Sequence, residues 1–336
     1  MENISIYTLK AGSIEMVVTN LGARVMKLFV PDAKGNVADV VLGYSTVEEY
    51  LDNKGERFLG AVCGRFANRI AKGQFTIDGE QYQLPINNNG QTLHGGIKGL
   101  DMVVWSVVEA TESTILFSYT SPDGEEGFPG ELTISMLYKL TDDNEFVIEY
   151  SATTDKKTPI NLTHHSFFNL RGEGNGSIND HIMQINASRF IPIDEVSIPT
   201  GEIAQVAGTP FDFTAPTAIG SRLAEEDQQL KMGAGYDHCF VVDGQGMRMA
   251  ARVIDPESGR CMEVYTDQPG IQFYGGNFFD GKTAAKSGES SYDYRGSFAL
   301  ETQNFPDAPN QPSFPNSILS AGEVHEHRCT YKFLNV

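Results

Sequence analysis

Basic residues are in short supply in this 336-residue chain: 25 Lys and Arg stand against 44 Asp and Glu, for a net charge of −19. Nucleic acid is bound by cations that neutralise phosphates, so this balance argues against it, and equally against anionic lipid surfaces. Cysteine is sparse as well. Cys63, Cys239, Cys261 and Cys329 lie far apart with no CxxC pair, which suits reduced thiols in a cytoplasmic protein. The opening MENISIYTLKAGSIEMVV lacks the basic start and unbroken apolar stretch of a signal peptide. No run approaches the roughly 20 apolar residues of a membrane helix. Linkers, low-complexity tracts and repeats of propeller-blade length are missing too, so one domain over residues 1–336 is expected.

What the chain does have is period-2 alternation. In 131–154, ELTISMLYKLTDDNEFVIEYSATT, two β-rich segments flank Asp142-Asp143-Asn144, the pattern of a hairpin. In 73–84 the pair Asp78-Gly79 supplies what a type I′ turn wants. Residues 249–267 repeat the plan around Pro256 to Gly259. With 34 glycines and 15 prolines spread throughout, the expected fold is all-β, a large antiparallel β-sandwich with few short helices. One short helix is expected where Ser45-Thr46-Val47-Glu48-Glu49 resembles a capping box, another over Ser221 to Lys231.

One strand-like run, Phe298-Ala299-Leu300, ends in a carboxylate, Glu301. Burial disfavours a charged carboxylate, raises its pKa and so suits it to proton abstraction near neutral pH. Four other polar clusters accompany it: GRFANRI (Arg65, Asn68, Arg69), LHGG (His94), NLTHHSFFNL (His164, His165), and GYDH with QPGIQFYGGNFF (Asp237, Gln272, Phe278). Each has an ordinary structural explanation, as an ion pair, a turn, a core histidine or a core aromatic. Adjacent His164 and His165 point to opposite strand faces, so at most one of them serves a given pocket. His94, His165, His238, Asp237 and Glu301 are acceptable metal ligands, and His325 and His327 share a strand face, but no HExxH spacing occurs. The same groups also form a set for sugar chemistry: a histidine acid, a carboxylate base, hydroxyl-orienting polar groups and aromatic faces.

Taken together and in order, GRFANRI, LHGG, NLTHHSFFNL, GYDH, QPGIQFYGGNF and ETQNFPDAPNQP resemble the aldose 1-epimerase family over residues 64–312. The resemblance implies a β-sandwich with an open sugar cleft and neither metal nor cofactor. Its substrate would be a small aldose, and its state monomer or homodimer. By position it makes Glu301 the base at the C1 hydroxyl, His165 the acid at the ring oxygen and His94 a second histidine beside that oxygen. Asn68, Arg69, Asp237 and Gln272 would hold hydroxyls, and Phe278 would line the cleft. Where the family commonly reads NLTNHSYFNL, this chain has His164 and Phe167; the register of His-Ser and Phe-Asn-Leu selects His165. Alternatives are a hexose-6-phosphate mutarotase, a glycosidase using Asp237 and Glu301 as its paired carboxylates, and a non-catalytic sugar-binding protein.

Overall fold

A computed structural model of the protein describes residues 3–52 and 55–336. Its frame is two antiparallel sheets. In the nine-stranded sheet the hairpin Leu132–Leu140/Glu145–Thr154 is followed in space by the last strand, Val324–Asn335, and then by the hairpin Arg248–Ile254/Arg260–Thr266. The six-stranded sheet runs Phe167–Phe168, Phe298–Gln303, Gly270–Tyr274, Asp237–Val241, Arg189–Ile191, Ala204–Gln205. A four-stranded sheet, Ile6–Ala11 to Val37–Asp39, adds Val18, Val25, Leu28 and Val30 to the same core.

The layers hold together because alternate residues of each strand are apolar. Phe298 and Leu300 from the six-stranded sheet share one buried cluster with Phe146, Ile148, Val264, Tyr331 and Phe333 of the nine-stranded sheet. Polar pins cross the same layer: the Tyr331 hydroxyl donates to the Leu300 carbonyl (2.9 Å), and His327 Nε2 lies 3.3 Å from Thr302 Oγ1. The expected β-sandwich is therefore present, and its open face carries the site.

Local signals act as the residue chemistry directs. Asp78 and Gly79 both take positive φ (51° and 85°) between Gln74–Ile77 and Glu80–Gln83, as a type I′ turn requires. Thr46 and Glu49 cap the helix Val47–Asp52 reciprocally, Thr46 N donating to Glu49 Oε2 (2.9 Å) and Glu49 N to Thr46 Oγ1 (3.4 Å). The expected helix over Ser221 to Lys231 is shorter. A 3-10 turn covers Ile219–Arg222, and the α-helix is only Gln228–Met232. Asp227 causes this, since its side chain accepts the amides of Gln229 and Leu230 and so makes itself the N-cap. Among the described residues no helix is long and apolar enough to cross a membrane.

Candidate active site

Glu301 occupies the middle of Phe298–Gln303, where alternation that sends Phe298 and Leu300 into the core turns Ala299 and Glu301 to the other face. The cross-strand partner of Glu301 is Gln272, and the partner of Gln272 is Cys239. Gln272 Nε2 donates to Asp237 Oδ1 at 2.7 Å. Asp237 and His238 separate as strand neighbours must: Asp237 faces the cleft, while His238 stacks edge-on against Phe211 in the core (4.5 Å).

His165 comes from Thr163–His165, paired with Ala61–Cys63. Its Nε2 lies 3.4 Å from Glu301 Oε1. His164 turns the other way, within hydrogen-bond reach of Tyr138 Oη (3.2 Å) and Ser166 Oγ (2.6 Å) and ringed by Tyr138, Phe146 and Tyr331. Only His165 borders the cleft.

His94 follows Thr92–Leu93, which pairs with Arg69–Ile70. It adopts φ of +50°, an uncommon conformation for a side chain other than glycine, and so stores strain at the site. The next residue must be glycine: a Cβ on Gly95 would sit 1.8 Å from the Gly64 carbonyl oxygen, at φ of +92°. The Asn68 amide donates to His94 Nδ1 (3.1 Å), and His94 N returns a bond to Asn68 O (3.0 Å). With Nδ1 accepting, the proton of neutral His94 is on Nε2, leaving that nitrogen a donor.

Together these groups border an open cleft of about 180 Å³. That is smaller than the roughly 300–1,000 Å³ of sites for drug-sized ligands and fits a monosaccharide better. Asn68, Arg69, His94, His165, Asp237, Phe278 and Glu301 all line it; Gln272 lies beside the lining and holds Asp237. Phe278 is 63% exposed and stacks on Tyr274, the ring centroids 5.9 Å apart and 20° from parallel. Arg65, from the same motif as Asn68 and Arg69, turns away to the carbonyls of Ser121, Pro122, Pro129 and Gly130.

The sequence reading missed Glu56, Phe58 and Asn88 in the lining. Phe58 packs against both histidines, 4.6 Å from His94 and 6.0 Å from His165 between ring centroids. The one available signal was the charged pair Glu56-Arg57 just ahead of an apolar run.

Burial dominates the electrostatics. It pushes the Glu301 pKa well above the ordinary carboxyl value, helped by Asp237 and opposed by Arg69. It brings His165 down to about 4 and His94 well below its usual range, the latter helped by His165 and Arg69. Asp237 is also raised by burial, against the pull of Arg69 and the Gln272 bond. Desolvation thus moves the His165 imidazole away from the near-neutral titration of a free histidine. His165 Nε2 and Glu301 Oε1 face each other at 3.4 Å, so a proton moved between them converts acid and imidazole into carboxylate and imidazolium.

His94, His165 and Glu301 offer ligand atoms all within 4.8 Å of one another, a donor set that a transition metal accepts. The Asn68 amide on His94 Nδ1 opposes that use, because the remaining nitrogen carries a proton where a metal needs a lone pair. Of the other candidate ligands, Asp237 lines the same cleft and His238 is turned into the core. His327 pairs with Asp267 at 2.9 Å, and His325 shares its strand, Val324–Asn335.

The fold and this cleft define a class: a β-sandwich with a buried histidine and a buried carboxylate facing each other in an open cleft of its exposed face. The chain belongs to the aldose 1-epimerase family, whose model matches residues 5–332. It is 46% identical to the galactose mutarotase of Bos taurus over 97% of this chain and 93% of that one. Against the aldose 1-epimerase of Escherichia coli (strain K12) it is 40% identical, over 95% and 92%. Among solved structures, a GalM/aldose epimerase homologue from C. elegans superposes with a TM-score of 0.91 at 30% identity, covering 99% of this chain and all of that one. The galactose 1-epimerase of Lactobacillus acidophilus NCFM does so with 0.84 at 29%, covering 99% and 98%.

Proposed function

We propose that the protein interconverts the α and β anomers of free aldohexoses such as galactose and glucose. Glu301 takes the proton of the C1 hydroxyl while His165 gives one to the ring oxygen. The C1–O5 bond breaks with its electron pair going to O5, and O1 becomes the carbonyl oxygen of the open aldehyde. After rotation about C1–C2 the steps reverse and either anomer forms. Sugar hydroxyls donating to Glu301 stabilise its carboxylate, which moves the shared proton onto His165. His94, with its proton on Nε2, donates to the ring oxygen; Asn68, Arg69 and Asp237 hold hydroxyls, Gln272 keeps Asp237 in place, and Phe278 covers an apolar ring face.

The observation that carries this reading is the 3.4 Å approach of His165 to Glu301 in a cleft of monosaccharide size. Its four free, buried cysteines suit a reducing, cytoplasmic setting. The test is polarimetry on freshly dissolved α-D-galactose and α-D-glucose. Purified protein should speed the decay of optical rotation, and an unchanged spontaneous rate with several aldoses sinks the proposal.

A further inference from the structure

Glu56 stands in the cleft wall without a part in the chemistry above. Its segment is held from behind. The fully buried Arg24 donates to the carbonyls of Arg57 (2.8 Å) and Leu59 (3.0 Å). Arg57 grips the buried Asp101 through Nε (2.7 Å) and Nη2 (2.9 Å), and reaches Gly96 O (3.2 Å). The Glu56 carboxylate is itself oriented, since Oε1 accepts the Phe58 amide at 3.1 Å. A group fixed in this way costs a ligand little ordering entropy.

Among the described residues the lining thereby carries three carboxyl groups, on Glu56, Asp237 and Glu301, and one guanidinium, Arg69. Carboxylates only accept hydrogen bonds, and burying them without donors is costly. A second observation points the same way. Glu301 is 2% exposed, and its Oε2 has no hydrogen-bond partner among the described residues. Among the described residues the cleft is thus rich in acceptors and poor in cations. Such a surface welcomes hydroxyl or ammonium donors and repels anions.

We infer that Glu56 is a specificity-determining residue: it takes a hydroxyl or ammonium donor of the sugar and, with Asp237, selects neutral and amino aldoses against uronic acids and sugar phosphates. This rests on the aldose reading above.

The experiment compares mutarotation of galactose, galactosamine and galacturonic acid by the wild type and Glu56→Gln, at a pH where the amine is protonated and the acid ionised. In the variant, the kcat/KM of galacturonate relative to galactose should rise roughly three- to tenfold, and that of galactosamine should fall by a similar factor. Both shifts should shrink in about 0.5 M salt, which screens charge but leaves packing alone. Glu56→Asp keeps the charge, so its ratios should stay near the wild type; it serves in place of Glu56→Gln if that variant does not fold, with lost discrimination then counting against the inference. Ratios constant within about twofold, or one common loss for all three sugars, overturn the inference. Normal galactose mutarotation with unmoved ratios refutes this inference alone, whereas no acceleration of any aldose by the wild type refutes the mutarotase reading.

Discussion

Two of the buried histidines that face carboxylates, His327 and His165, differ in a way that separates chemistry from architecture. His327 Nδ1 meets Asp267 at 2.9 Å, closer than His165 meets Glu301 at 3.4 Å. Asp267 is otherwise well served, accepting from the Arg328 amide (3.0 Å) and Gln268 Nε2 (3.2 Å). Burial raises its pKa, but the His327 bond and these donors outweigh that and leave it below the usual value. Glu301 has an oxygen without a partner among the described residues and a pKa driven the other way. A carboxylate satisfied by the protein pins strands together. One left unsatisfied keeps its basicity for a substrate.

The sharpest way to break this comparison is to neutralise each pair. Glu301→Gln and His165→Asn should each lower kcat by several orders of magnitude, as one proton transfer contributes about 10²–10⁴-fold. Asp267→Ala should stay within about tenfold of wild type, because it touches no cleft residue. Polarimetric rates on α-D-galactose decide it. A Glu301→Gln enzyme with near-normal kcat removes the carboxylate from the proposed mechanism.

Stability should move in opposite directions. Asp267→Ala strands His327 Nδ1 and two donors, a loss of about 1–3 kcal/mol. Glu301→Gln removes a charge the fold does not compensate, a gain of about 1–3 kcal/mol at alkaline pH. The pH dependence follows from the signs of the shifts. Glu301, raised on folding, contributes stability that is complete below its unfolded pKa and is lost as pH rises through the folded one. Asp267, lowered on folding, contributes above its unfolded pKa and loses this as pH falls through the folded one. Both variants should therefore converge on the wild-type melting temperature in acid. Equal destabilisation by the two would show that Glu301 is as well accommodated as Asp267.

The shared proton also sets a rate profile. Below about 4, His165 and Glu301 together gain a second proton, and above the elevated Glu301 pKa they lose their only one. A plot of kcat/KM against pH should be bell-shaped, its acid limb near 4 and its alkaline limb above the ordinary carboxyl range. A rate that climbs steadily with pH would mean that the carboxylate works without the histidine acid.

Much of the frame was legible because its causes are local. Asp78-Gly79, the Thr46/Glu49 box and the alternation through Phe298–Gln303 each act within a few residues. Motifs found the cleft residues but not how Gln272 serves, which depends on Asp237, two residues from its pairing partner Cys239 on the adjacent strand. Pairing partners were illegible for the same reason: Glu145–Thr154 joins Val324–Asn335, and alternation says which way a side chain faces, not which strand it meets. Glu56 and Phe58 escaped because a wall segment held by distant Arg24 and Asp101 has no periodicity of its own.

The smallest expected effect concerns the nearest comparison, His164 beside His165. His164 is 2% exposed, and burial lowers its pKa to about 3, so it is neutral near neutral pH. Its contacts to Tyr138 and Ser166 are those of a core residue. In His164→Asn the amide is shorter and cannot span both partners, which should cost about 1–2 kcal/mol of stability through one unmet bond. The kcat should change by less than about tenfold, through slight displacement of His165 on the same short strand. A loss as deep as that of His165→Asn, in a variant shown to be folded by its melting curve, would move the acid role across the strand.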